Sequence, residues 1–175
     1  MEVRSMLDEK GFSLVEAIIC LAIMGILSVS AFSLSNHVKY ADTKRCAKVL
    51  NQKIEIARMR ALSKKGDWHL YIYADGNSIY YQVSDKDAVD RSKGEKLGDS
   101  NIDVFFTCRT KGSVTPSSES KITGSVEVDM RFYKSTGAFR ENAANVLYDS
   151  IRIKGHDGSE YVINLVEKTG KHNIA

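Results

Sequence analysis

The sequence predicts an α+β protein: one long N-terminal helix, then a body built only of strands. Three observations carry this. No residue from Ala17 to Leu34 is charged. Pro116 is the only proline, so nothing interrupts a helix from Phe12 to about Ser63. After Gly66 the periodicity turns from helical to alternating, the mark of strands. A helix followed only by strands suits an antiparallel sheet packed against it.

The helix reads as two halves. Phe12 to Leu34 is 23 residues, or about 34 Å at 1.5 Å per residue, enough to cross a bilayer. Gly25 is its one helix-weakening residue, and Ser28, Ser30, Ser33 and Ser35 suit close helix contacts or backbone bonding in lipid. Past the span, Ala47, Leu50, Ile54, Ala57 and Ala61 recur at spacings of three and four, one apolar stripe of an amphipathic helix. Lys64-Lys65-Gly66 is the stop signal. The segments are therefore 1–11 (a leader), 12–35 (the apolar helix), 36–65 (its amphipathic extension) and 66–175 (the strand-rich body).

In the body, Trp68–Tyr73 and Ser78–Val83 form a hairpin around Asp75-Gly76-Asn77. Residues 84–100 read as a polar loop, Ile102–Thr107 as a strand and 109–124 as a second loop. Val126–Tyr133 is a strand ending in the turn Ser135-Thr136-Gly137. Tyr148–Lys154 and Tyr161–Val166 make another hairpin, and Lys171–Ile174 a short last strand.

The net charge of +3 is unevenly placed. Nine basic residues between Lys39 and Lys65 face only Asp42 and Glu55, whereas the body after Gly66 is mildly acidic. A solvated helix face, or one paired with acidic neighbours, explains this more simply than a nucleic-acid surface. The exception to the apolar pattern is Glu16. A carboxylate at membrane depth costs roughly 2.5–3.5 kcal/mol even on lenient scales, so it marks function. If the chain were cut after Gly11, Phe12 would carry an ammonium four residues from Glu16, on the same helix face. That amine, or a neighbouring subunit's, could neutralise the carboxylate, and a paired charge in low dielectric is far less costly than a lone one.

Lys10-Gly11-Phe12-Ser13-Leu14-Val15-Glu16, running into the apolar helix, resembles the class III signal of type IV pilins and pseudopilins. The resemblance implies cleavage of Gly11–Phe12 by a prepilin peptidase, N-methylation of Phe12 and filament assembly guided by Glu16. It implies a pilin-like fold, a leader in the cytoplasm, a single-pass precursor in the inner (cytoplasmic) membrane, and then a cell-surface or periplasmic filament of pilin subunits. Arg4 and Lys10 before the span, against Lys39, Lys44, Arg45 and Lys48 after it, leave the charge rule neutral on orientation. A secretory signal fits less well, because the leader is weakly charged and the apolar run long. A lipoprotein signal fails because Ile18-Ile19 precede Cys20.

The C-terminal third is similar to the GspH/FimT group of minor pilins and to Gram-positive competence-pilus minor pilins. The matching pieces are Phe132-Tyr133-Lys134-Ser135-Thr136-Gly137, Ser150-Ile151-Arg152-Ile153 and Thr169-Gly170-Lys171. Some members of that group bind DNA through a basic C-terminal segment. Arg152, Lys154 and Lys171, with Lys168, are the residues here for a weak DNA contact, and ordinary surface cations are the simpler reading. The alternation of Tyr71, Tyr73, Tyr80 and Tyr81 is explained by core and cross-strand roles before base stacking.

If the body is extracytoplasmic, Cys46–Cys108 is the one sensible disulfide, with free thiols as the alternative. The four histidines have no zinc-like spacing, and Asp85–Asp90 lacks the glycine and distal glutamate of a calcium loop. No catalytic motif, cofactor or metal is expected, and the chain reads as a peptidase substrate and not an enzyme. The expected function is a minor (pseudo)pilin of a type IV pilus, competence pilus or type II secretion-like filament, serving DNA uptake or protein secretion. The rival readings are a membrane-anchored extracellular binding module that does not polymerise, and a secreted enzyme starting near Ala31.

Overall fold

The computed structural model describes residues 13–175, with side chains at 13–28 and 42–175. The chain separates into two compact units, one ending at His37 and one running from Val38 to Ala175. Helix α1 spans Leu14–Ser63, and Gly66 follows it at φ +110°, as the Lys-Lys-Gly stop signal predicts.

The second unit is α+β, with two antiparallel five-stranded sheets where the sequence leads one to expect one. In chain order the strands are β1 His69–Asp75, β2 Ser78–Ser84, β3 Glu95–Gly98, β4 Ile102–Thr110, β5 Ser120–Lys121, β6 Val128–Phe132, β7 Phe139–Arg140, β8 Val146–Gly155, β9 Glu160–Val166 and β10 Lys171–Ile174. The first sheet has the order β3-β2-β1-β6-β7 and the second β10-β9-β8-β4-β5. Strands β3, β5 and β7 fall where the sequence suggests loops or turns. They are short or polar and lie at sheet edges, where a long apolar strand would invite edge-to-edge pairing.

The stripe read from the sequence faces this core. Ala47, Leu50, Ile54 and Ala57 have no exposed surface and Ala61 only 2%. They join one cluster with Leu70 and Ile72 of β1, Met130 and Phe132 of β6, and Val104, Ile151, Ile153 and Ile163 of the second sheet. Alanines in the stripe hold the helix close to the strands, while Leu50 and Ile54 fill the space between them.

Register decides what lies on the far side of the first sheet. Leu70, Ile72 and Ala74 of β1 belong to the core cluster. By alternation His69, Tyr71 and Tyr73 take the opposite face, yet all three are buried. The β2–β3 segment covers them: the Tyr71 hydroxyl donates to the Lys86 carbonyl at 2.8 Å and that of Tyr73 to the Arg91 carbonyl at 3.4 Å.

The two glycine turns of the C-terminal third meet beneath the helix. Arg58 donates from Nε to the Gly137 carbonyl (3.1 Å) and from Nη2 to the Thr169 carbonyl (3.4 Å). His172 Nε2 donates to the Asn51 carbonyl at 3.0 Å. Gly170 has φ +64°, and a Cβ there would run into the Gly137 carbonyl.

The expected Cys46–Cys108 bridge is not formed; Cys20, Cys46 and Cys108 are all free. A side chain at Gly98 would meet Ile102 at 3.0 Å and the Cys46 sulfur at 3.3 Å, which puts that sulfur at the start of β4. Cys108 lies six residues further along the strand, about 20 Å at ~3.3 Å per residue and beyond the ~7 Å Cα reach of a disulfide. Each sulfur has another partner. Cys46 donates to the Leu97 carbonyl at 2.8 Å, and Cys108 lies 3.3 Å from the Ser117 hydroxyl.

Gly76 in the β1–β2 turn has φ +57° with open space around it. Gly76→Ala therefore costs only the left-handed backbone term of about 1–2 kcal/mol. Gly170→Ala adds a steric clash worth roughly 1–3 kcal/mol more, a difference that urea unfolding midpoints will resolve. Burial, with Asp42 adding to it, pushes the Cys46 thiol up to about 11, so at pH 8 it stays protonated and a poor nucleophile. Maleimide should label Cys46 only after unfolding, and peptide mapping without reductant should find no Cys46–Cys108 linkage.

Candidate functional site

The start of α1 is the first candidate. Glu16 lies in its first turn, where a carboxylate complements the positive end of the helix dipole. Around it Leu14, Val15, Ile18, Ile19, Leu21, Ile23, Met24, Ile26 and Leu27 are each more than half exposed, the all-round apolar surface read from the sequence. Ser28 bonds back to the Met24 carbonyl at 2.7 Å, a bond that Ser63 repeats to the Met59 carbonyl. Gly11, Phe12 and the leader lie outside the described residues. Among the described residues no helix is long and apolar enough to cross a membrane; the expected span starts at Phe12, outside the described residues, and includes 29–34, whose side chains are not described.

The basic second half of α1 folds onto the body. Lys53 reaches Glu95 at 3.3 Å and lies over the Tyr81 ring. Arg60 and Lys64 both lie over Trp68. These contacts engage three of the charges, while Lys44, Arg45 and Lys48 of the same helix are exposed.

The residues named for DNA share a face without converging. Arg152 is held by Glu119 and by Glu160 and stacks on Phe105. Lys154 pairs in register with Glu160, and Lys171 with Val166 at the far end of β9. Six residues separate those positions, about 20 Å along the strand. Tyr71, Tyr73 and Tyr81 are buried and offer no stacking platform.

A second constellation, on the outer face of the first sheet, escaped the sequence reading. Register places His69 opposite Arg131, Tyr71 opposite Asp129 and Arg131 opposite Arg140. His69 is fully buried. Its Nδ1 lies 2.8 Å from Asp129 Oδ1, so that nitrogen carries a proton and donates. Asp129 is fixed in turn by Arg131 Nε at 2.9 Å. The other ring nitrogen, Nε2, points toward Asp87 Oδ1 at 3.6 Å and Asp67 Oδ2 at 4.0 Å. Arg140 pairs with Asp67, and Arg131 reaches Asp87 at 3.4 Å. Even so, His69 Nε2 and Asp67 Oδ1 are buried without a hydrogen-bond partner, each at a cost of about 1–3 kcal/mol. The signal in the sequence was Asp67-Trp68-His69, a two-residue spacing at a strand start. Asp87 could not be found that way, because a turn and a whole strand separate it from His69.

Comparison with known proteins bears on the first candidate. Residues 6–32 match the family described as the prokaryotic N-terminal methylation motif. No curated protein and no solved structure matches the chain. The matched stretch contains Gly11, Phe12 and Glu16 and the first turns of α1. This N-terminal segment is that of a type IV pilin/pseudopilin-like precursor, of the kind that prepilin peptidase processes.

Proposed function

We propose that the protein is a minor subunit of a type IV pilus, competence pilus or type II secretion-like filament. The observation that carries this reading is the methylation motif at residues 6–32 running into a helix whose described start is apolar all round but for Glu16. The precursor is held in the membrane by that segment, with the body outside. Removal of residues 1–11 frees the amine of Phe12. The subunit then enters a filament by packing its apolar helix against others, with Glu16 seeking a neighbour's amine in a medium where an unpaired carboxylate is costly. The body, with Lys53, Arg60 and Arg152 engaged by its own acids and aromatics, serves as the outward-facing domain.

The test is Glu16→Ala expressed in the native host, followed by immunoblotting of membrane and sheared filament fractions. A charge-assisted bond is worth roughly 1.5–3 kcal/mol. The substitution should thus leave processing intact and lower the filament fraction by about tenfold or more. Undiminished recovery from filaments would contradict assembly through Glu16. A wild-type chain confined to membranes would favour the anchored, non-polymerising module.

A further inference from the structure

We propose that His69, Asp67 and Asp87 form a binding site for a divalent transition metal, with Zn2+ the expected ion. The inference rests on a buried side chain with an unanswered atom and does not depend on the filament reading.

The His69 ring has no exposed surface. Its Nδ1 proton is committed to Asp129, which leaves the Nε2 lone pair directed at two carboxylates. A lone pair among anions is satisfied by a cation, and two can fit: a proton or a metal ion. Geometry favours the metal. One ligand atom from each of Asp67, His69 and Asp87 lies within 4.8 Å of the others. Zinc binds imidazole nitrogen and carboxylate oxygen at about 2.0–2.2 Å, so tetrahedral ligand atoms stand roughly 3.4 Å apart. The two imidazole–carboxylate separations are 3.6 and 4.0 Å, about 0.2 and 0.6 Å longer than that spacing. A proton shared with either carboxylate would instead draw it to about 2.7–2.9 Å.

The surroundings are those of a ligating histidine. Asp129 accepts from the ring's other nitrogen and is itself clamped by Arg131, the carboxylate–histidine pairing that orients metal-bound imidazoles. Tyr71 bonds to the Lys86 carbonyl and so holds the segment next to Asp87. Three carboxylates against Arg131 and Arg140 leave the cluster one negative charge when the ring is neutral; Arg140 holds the same Asp67 Oδ2, and Arg131 the same Asp87 Oδ1, that face Nε2, so each oxygen would meet a dication with its second lone pair. The nitrogen ligand speaks against calcium and magnesium, which take oxygen. Asp87 is largely solvent-exposed, which gives the ion an entry path and leaves room for water as a fourth ligand. A bound ion would tie the α1–β1 junction at Asp67 to the β2–β3 segment at Asp87.

The full chain, untagged and purified in detergent after EDTA treatment, should be dialysed against micromolar ZnCl2 and its metal content measured. One zinc per chain is expected, with no uptake of CaCl2 at the same concentration. X-ray absorption should give a nitrogen/oxygen shell containing one imidazole. Asp87→Asn alters an exposed side chain and should keep the native circular dichroism while weakening zinc binding at least tenfold. Asp87→His, which retains a donor, should restore it. The absence of stoichiometric zinc would overturn the proposal. A sulfur ligand in the absorption spectrum, or wild-type affinity in folded Asp87→Asn, would overturn it as well.

Discussion

The burial of the α1 stripe between two sheets is the constraint from which the rest of the structure follows. Ala47, Leu50, Ile54, Ala57 and Ala61 lie on one helix face and have essentially no exposed surface. Each sheet would otherwise expose an apolar face, and both close onto the same helix. Full burial of a leucine or isoleucine contributes about 1.5–3 kcal/mol, and the alanines set how near the strands approach. With the stripe seated, Arg58 reaches the Gly137 and Thr169 carbonyls and His172 the Asn51 carbonyl. The last strand is thereby tied to the helix at a distance of more than a hundred residues in sequence.

The same helix carries two chemistries. Its first described turns present apolar side chains on every side with one carboxylate among them, and its later turns present one apolar stripe and a basic remainder. In the proposed reading the first pattern finds its partners in lipid or in other pilin subunits; the second packs against the body of its own chain. This division is why a motif confined to residues 6–32 informs on processing and assembly, while the body after Gly66 must be understood from its own packing.

Much of this was legible in the sequence, and the failures have physical causes. The stripe, the stop at Lys64-Lys65-Gly66 and the Asp75-Gly76-Asn77 hairpin are local patterns, and each is present. The split into two sheets depends on which strands pair across long separations, such as β1 with β6 and β4 with β8, and no local period encodes that. The edge strands β3, β5 and β7 are too short or too polar to show alternation. The Cys46–Cys108 bridge was inferred from number and compartment, whereas the topology sets the two sulfurs far apart along β4. The His69 cluster was hidden for a related reason. Its members come from a helix exit, a strand start, a loop and a strand of the far half of the body, and only register brings them to one face.

The central claim is that this chain is a precursor cut between Gly11 and Phe12. The most direct measurement is the mass of its N-terminal peptide, isolated from membranes of the native host. A peptide beginning at Phe12 and bearing one added methyl group is the predicted result. A peptide beginning at Met1, in a host whose other prepilins are processed, would contradict the account.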